Sequence, residues 1–253
     1  MWEFKISMPL TGSDPDPGFR KSAVAALTLL LLWSVLGPQS AHAAKQDVGQ
    51  WTVLFMNHQF DSPWAASFQA ENRLADNMTS FDELILKPAG YYRLNPVWNL
   101  GAGFKYQKKA DRANERDIWQ EVFITPESST RFEWLHQIRL EQRFVGGVDG
   151  VIPRLRYLLH VKHPLGTSGK RYLVAQNATR FNLASNDTGP PDGFEQNRLY
   201  FGVGFHPLPT MRFEIGYLWR FQRQRDLSDT NDHVLRLQFL FDTKSRPPHH
   251  GGS

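Results

Sequence analysis

Charged side chains alternate with other residues along several segments of this sequence. Arg139, Glu141 and Arg143 occupy every second position of one segment, and Arg154 and Arg156 repeat the spacing in the next. Because side chains on a β-strand alternate between its two faces, this spacing places the charges together on one face. Arginines and glutamates on such a face either neutralise each other or, as a ring around a pore, select anions. The residues predicted to face a common interior are Glu71, Arg73, Arg139, Glu141, Arg143, Arg154, Arg156, Arg198, Glu214 and Arg220.

The two charged segments near the middle of the chain are predicted to be neighbouring strands. A loop centred near Val148 joins them, which sets Glu141 opposite Arg156 and Arg143 opposite Arg154. Two interpretations stay open: a packed, salt-bridged lumen in which glutamates neutralise the arginines, or an arginine-lined constriction that selects anions. The glutamates available for neutralisation are Glu71, Glu141, Glu195 and Glu214.

Nucleophiles and metal ligands are not arranged for catalysis or metal binding. His160 and His163 are three positions apart, so they face opposite sides of a strand and cannot chelate one metal. His136 is predicted to point outward, and no serine lies in register beside it as a nucleophile. The Gly-x-Ser-x-Gly, P-loop and His-Glu-x-x-His patterns do not occur. The sequence therefore predicts no catalytic residue, no cofactor and no metal site.

The elements that must position the charges are strands, because apolar residues recur at every second position through most of the chain. Between Trp98 and Tyr106, one face is apolar or aromatic, whereas the other carries Asn99, two glycines and Lys105. Short turns alternate with longer polar links, as in transmembrane barrels. Glycines on the inward face either leave room in a narrow lumen or, as we prefer, ease strand curvature: Gly101, Gly103, Gly202, Gly204 and Gly216. The segments with this alternation are 51–60, 64–74, 82–94, 97–107, 117–125, 133–144, 153–163, 170–181, 195–206, 211–223 and 232–241.

This pattern predicts an all-β fold, a transmembrane up-and-down antiparallel β-barrel. The number of segments is odd, whereas bacterial single-chain barrels have even strand numbers and both ends in the periplasm. Placing the long links outside makes 64–74 the first strand and leaves 51–60 as an extra segment or half of an unrecognised pair. The prediction therefore favours ten strands and leaves twelve open.

Composition narrows the class of protein. The 253 residues are 41% hydrophobic and 13% aromatic, enough for ordered structure. No apolar run reaches the roughly 18 residues of a transmembrane helix, and the mean hydropathy of −0.46 averages interleaved apolar and charged faces. With 29 basic and 25 acidic residues and no Lys/Arg block, nothing indicates a nucleic-acid partner. The lack of cysteine excludes disulfides and thiolate metal sites.

The N-terminal region has the parts of an export signal. Arg20 and Lys21 precede a short apolar run, and a small-x-small site ends at Ala43. A buried helix hairpin or an uncleaved anchor is the alternative. We predict a leader and signal peptide at 1–43, cleaved between Ala43 and Ala44, an outer-membrane barrel at 44–241, and a disordered periplasmic tail at 242–253.

Five sequence elements together resemble the outer-membrane family catalogued as domain of unknown function 2490. The resemblance covers nearly the whole mature chain, and the Asn-Arg-Leu-Tyr-x-Gly element is its most specific part. It implies a Gram-negative outer-membrane β-barrel and carries no established catalytic residues. Such barrels often end on an aromatic residue that the barrel-assembly machinery recognises, whereas here twelve residues follow Phe241. The elements are Arg139-Leu140-Glu141-Gln142-Arg143-Phe144, Arg154-Leu155-Arg156-Tyr157, Gln196-Asn197-Arg198-Leu199-Tyr200-Phe201-Gly202-Val203-Gly204, Gly216-Tyr217-Leu218 and Asn231-Asp232-His233-Val234-Leu235.

The sequence thus predicts a barrel of the Gram-negative outer membrane that acts as a structural component or as a small, anion-preferring channel. Its expected partners are outer-membrane lipid and, during biogenesis, the barrel-assembly machinery. Two alternatives are an outer-membrane acyl hydrolase and a soluble periplasmic lipocalin-like barrel. The hydrolase would release fatty acid from phospholipid, and the soluble barrel would turn its apolar face inward.

Overall fold

Eleven β-strands form one closed sheet in the described part of the chain. The computed structural model describes residues 45–128, 130–185, 189–225 and 228–243. No helix among these residues is long and apolar enough to cross a membrane. The strands are β1 (Lys45–Gln59), β2 (Trp64–Ala75), β3 (Ser80–Arg93), β4 (Trp98–Lys109), β5 (Glu115–Ile124), β6 (Glu133–Val145), β7 (Ile152–Leu165), β8 (Arg171–Asn182), β9 (Gly193–Leu208), β10 (Met211–Gln222) and β11 (Thr230–Asp242).

The all-β barrel is confirmed, but the prediction of ten strands, with twelve as the alternative, is wrong. The segment 51–60 that seemed surplus is part of β1, which pairs antiparallel with β2 and parallel with β11. In an alternating series the first and eleventh strands run in the same direction, so closure requires this parallel pair. Ten of the eleven neighbouring pairs are antiparallel. The even-number rule was the wrong basis for excluding β1, since barrels with an odd strand number exist.

An odd strand number places the two ends of the barrel chain at opposite openings. We call the opening where β1 starts at Lys45 the N end, and the opening where β11 finishes at Asp242 the C end. The longest connection, residues 183–192, lies at the N end. Asp242 belongs to β11, and the backbone NH of Thr243 donates to Asn57 at 3.0 Å. The predicted tail therefore starts later than residue 242, and its remainder from 244 lies outside the described residues, as do Ala43 and Ala44.

The barrel turns its apolar face outward, as the alternation predicts. Every strand exposes at least one large apolar side chain, and Leu100 and Phe104 are each 40% exposed. On the opposite face of the same strand, Asn99, Lys105 and Gln107 are buried. The soluble lipocalin-like alternative requires the reverse arrangement.

The interior has two differently composed halves. Toward the C end, aromatic and aliphatic side chains pack inward beside several polar and charged ones, such as His160, Lys162 and Arg212. We call this packed region the apolar layer. Its most closely packed members are Trp51, Tyr172, Val174, Tyr200, Leu218 and Val234. The charged side chains that surround a cavity lie toward the N end.

Inward glycines make room for aromatic rings, so our preference for a role in strand curvature is wrong. Gly103 on β4 stands opposite Trp119 on β5, and a Cβ added to Gly103 would overlap that ring and lie 2.6 Å from the carbonyl oxygen of Pro88. Gly204 has the same relation to Tyr172 across β9 and β8. The glycines therefore let bulky rings fold across the neighbouring strand and fill the apolar layer.

Gly103→Ala is expected to lower the free energy of unfolding by about 1–3 kcal/mol, because the added methyl overpacks a filled site. Gly90→Ala is the matched control, since Gly90 lies on a strand and a Cβ there meets nothing within 4 Å. The measurement is guanidinium unfolding in detergent micelles. Equal midpoints for the two variants would contradict the ring-filled site.

Candidate functional site: the basic vestibule

The charged interior residues surround a cavity in the half of the barrel nearest the N end, which we call the vestibule. The space open to the centre of a water-sized sphere inside it is about 70 Å³. Twelve cationic side chains but only five carboxylates line it. The cations are Arg73, Lys87, Lys105, Lys109, Arg112, Arg139, Arg143, Arg154, Arg156, Arg180, Arg198 and Arg220, and the carboxylates are Glu83, Glu115, Asp117, Glu141 and Glu195.

Glu115, the first residue of β5, is the centre of the largest ion-pair cluster. It is 2% exposed and contacts three cations closely, with a fourth, Arg154, at 4.0 Å. Its Oε1 lies 2.7 Å from Lys105 Nζ and 2.8 Å from Arg143 Nε, and its Oε2 lies 3.1 Å from Lys109 Nζ. The second guanidinium nitrogen of Arg143 donates to Oε2 at 3.0 Å, which makes the contact bidentate.

Ion pairs also cross the vestibule between strands that are not neighbours. Arg143 on β6 lies 3.0 Å from Glu195 on β9, and Arg154 on β7 lies 3.1 Å from the other oxygen of Glu195. Arg154 also pairs with Glu141. These contacts tie one wall of the barrel to another.

The predicted register between β6 and β7 is wrong by two residues. Glu141 stands opposite Arg154, and Arg139 stands opposite Arg156. The cause is the turn: Gly147 has a positive φ of 75°, and the NH of Val148 donates to the carbonyl of residue 145, which shifts the turn centre toward β6. Arginine consequently faces arginine at one level of the barrel.

A second cluster surrounds Trp51 on β1. The guanidinium of Arg73 lies 3.8 Å from the Trp51 ring centroid, and those of Arg198 and Arg220 lie 4.7 and 5.3 Å away. Arg73 also pairs with Glu71 at 2.7 Å. The electron-rich ring face attracts cations, so this strand, which sequence reasoning set aside, holds three of the predicted arginines together.

The remaining predicted residues have individual environments. Arg139 Nε lies 2.6 Å from Glu121, a residue that was not predicted. Glu214 does not neutralise an arginine as expected: it accepts hydrogen bonds from the Tyr172 hydroxyl at 2.7 Å and the Gln238 amide at 2.8 Å. All ten predicted charges lie inside the barrel, and eight of them line the vestibule; Glu71 and Glu214 do not.

Sequence reasoning missed the inward charges of β5 and Arg180 of β8. A signal for β5 was present, because Glu115, Asp117 and Glu121 share one parity. Trp119 lies between these acids on the same inward face, and this aromatic residue obscured the alternation of polar and apolar positions along β5. Arg180 is isolated among small and apolar neighbours in the sequence, and only its pairing opposite Arg156 reveals its place.

The histidines do not form a reactive group in the described ranges. His136 points outward, and its Nδ1 lies 2.8 Å from the Tyr157 hydroxyl. His160 is buried in the interior. Among the described residues, no three His, Asp or Glu side chains are placed to hold a metal ion.

A closed sheet with an apolar outer face and a charged inner face is the architecture of β-barrels that cross membranes. The chain belongs to the family described as Protein of unknown function (DUF2490), whose model matches residues 48–231. An uncharacterized protein of Methylorubrum extorquens is 25% identical over 184 residues, which are 68% of this chain and 78% of the relative.

Two solved structures are also similar to this chain. The NanC porin has a TM-score of 0.46 at 9% identity, with 75% of this chain and 93% of the porin covered. A bacterial polysaccharide outer-membrane secretin has a TM-score of 0.42 at 12% identity, with 71% of this chain and 64% of the secretin covered.

Proposed function

We propose that this chain is a Gram-negative outer-membrane barrel that conducts small anions at low rate. The membrane placement rests on the apolar side chains that every strand exposes. The shortest strand has ten residues, which at about 3.3 Å per residue and a tilt of about 45° cover about 23 Å of membrane. Outer-membrane lipid would contact this belt, and the barrel-assembly machinery would insert the chain after export through a cleaved signal peptide.

The anion preference rests on one observation, the excess of cationic side chains around the vestibule. Twelve line it against five carboxylates, and four further carboxylates outside the lining pair with some of these cations: Glu71, Asp82, Glu121 and Asp232. Charged rings set the selectivity of pores. An interior with a surplus of fixed positive charge concentrates anions and repels cations.

A closed structural barrel is the second candidate, and the apolar layer favours it. Tyr200 and Val234 are 1% exposed and Leu218 is 2% exposed, so ring and aliphatic atoms pack where a wide pore would need water. The same layer explains why we propose a low rate, because a dry apolar constriction limits conduction.

In planar bilayers, the purified barrel is expected to show small conductance steps whose reversal potential in a KCl gradient indicates chloride preference. Arg156→Ala combined with Arg180→Ala should reduce that preference, because both side chains add unneutralised charge to the vestibule. Arg131→Ala is the control, because Arg131 is exposed between β5 and β6.

Three outcomes would replace the channel with another function. Silent bilayers would favour the structural barrel, and fatty-acid release from phospholipid would favour the acyl hydrolase. Fractionation of the protein with the soluble periplasm, without heat-modifiable gel migration, would overturn the membrane placement itself.

A further inference from the structure

Three arginines stand side by side at one level of the vestibule. Arg156 on β7 is directly opposite Arg139 on β6 and directly opposite Arg180 on β8. Like charges in directly opposed positions destabilise a sheet. Arg139 is neutralised by Glu121 at 2.6 Å, which leaves the repulsion between Arg156 and Arg180.

Arg156 and Arg180 have no ion pair within 4 Å in the described part of the chain, although ten other cationic side chains there have one. The Nε–H groups of both arginines are buried and have no acceptor. A buried donor without an acceptor costs about 1–3 kcal/mol. An anionic partner would accept hydrogen bonds from these donors and offset the repulsion, but the two guanidinium groups have no such partner among the described residues.

Further positive charge surrounds this pair from other strands. Lys87 on β3 interacts electrostatically with Arg156, and Arg198 on β9 does so with Arg180. The carboxylates that also act on the pair have other partners: Glu121 pairs with Arg139, Glu141 with Arg154, and Glu195 with Arg143 and Arg154. Lys87 has only a distant carboxylate, Glu71 at 3.9 Å. One small region of the vestibule thus has several cations and no carboxylate of its own.

We infer that Arg156 and Arg180, assisted by Lys87 and Arg198, bind a small oxyanion with two or more negative charges. The planar guanidinium fork donates two parallel hydrogen bonds to phosphate or carboxylate oxygens, a geometry that a monatomic anion does not match. A multivalent oxyanion would accept from the free Nε–H groups and cancel the repulsion. This inference rests on the vestibule of the proposed function, but not on conduction through the barrel.

The test is titration calorimetry on the full folded barrel in uncharged detergent, with pyrophosphate as the probe and chloride holding the ionic strength constant. We expect saturable binding of one pyrophosphate per barrel and at least a tenfold weaker affinity in the Arg156→Ala, Arg180→Ala double variant. Arg156→Lys, which keeps the charge but loses the fork, should lie between them. Arg131→Ala should bind like the unmodified protein.

Thermal unfolding separates loss of the site from loss of the fold. Pyrophosphate should raise the Tm of the unmodified barrel, because a ligand that binds only the folded state stabilises it. The double variant should unfold no earlier than the unmodified barrel without ligand, since two repelling charges are gone, and its Tm should not respond to pyrophosphate. A parallel citrate titration distinguishes a phosphate from a carboxylate source, and binding of either supports the site.

Absence of saturable binding by both probes, or equal affinity in the double variant, would overturn the inference. Saturable binding to a barrel that is silent in bilayers would keep the site and reject the channel. Anion-selective conductance in a barrel that binds neither probe would keep the channel and reject the site.

Discussion

Replacing Glu115 by Gln is expected to lower the free energy of unfolding by about 3–5 kcal/mol, the range found when one partner of a buried ion pair is removed. The carboxylate is 2% exposed and contacts Lys105, Lys109 and Arg143 at 2.7–3.1 Å. Gln has nearly the same shape, so packing is preserved and only the charge is lost. The three cations then remain together in an interior that already has an excess of positive charge.

Guanidinium unfolding of barrels folded in lipid vesicles, followed by tryptophan fluorescence, measures this loss. Glu127→Gln is the control because Glu127 is exposed in the connection between β5 and β6. It should change stability by no more than about 0.5 kcal/mol. If both variants unfold at the same denaturant concentration, the Glu115 cluster is solvated rather than a buried network.

Stability of the barrel requires that its interior arginines are neutralised by carboxylates, whereas affinity for anions requires that some arginines are not. Glu115, Glu141 and Glu195 neutralise the arginines around them and join four strands. Arg156 and Arg180 remain without such partners. The vestibule is therefore a salt-bridged wall with one unneutralised region, so the two interpretations left open by the sequence describe different parts of one cavity.

The faces of the strands were predictable because the side-chain period of a strand is two, and this period is visible in a single sequence. The ten predicted charges needed only this periodicity to be placed inside. Partners across strands were not predictable, because register depends on turn geometry. The turn between β6 and β7, in which Gly147 and Gly150 both have a positive φ, pairs Glu141 with Arg154 instead of the expected Arg156.

Topology was less predictable still. The alternation identifies each strand, but closure is a property of the whole sheet. No feature of the β1 sequence by itself predicts that β1 pairs in parallel with β11. The same holds for the inward glycines. The role of Gly103 depends on Trp119, which is sixteen positions later in the sequence and stands opposite it in the sheet.

Phe68→Arg is expected to lower the free energy of unfolding by about 2–4 kcal/mol or to block insertion, the cost of a lipid-facing arginine near the middle of a membrane. Phe68 lies near the middle of β2 and is 40% exposed on the outer face. Its neighbours across the sheet are Met56 and Pro88, neither of which can pair with a charge.

Gln69→Arg is the matched control because it lies at the same depth on the opposite face. Gln69 points inward, and its amide donates to Glu71 at 3.0 Å. An arginine there has a carboxylate within reach and polar surroundings, so folding yield and stability should change by less than about 1 kcal/mol. Folding efficiency into vesicles, read from heat-modifiable gel migration, compares the two variants directly. Because both variants introduce an arginine at the same depth of the same strand, the comparison tests which face meets lipid. Equal tolerance, or a larger loss for Gln69→Arg, would mean that the outer face of this barrel does not meet lipid.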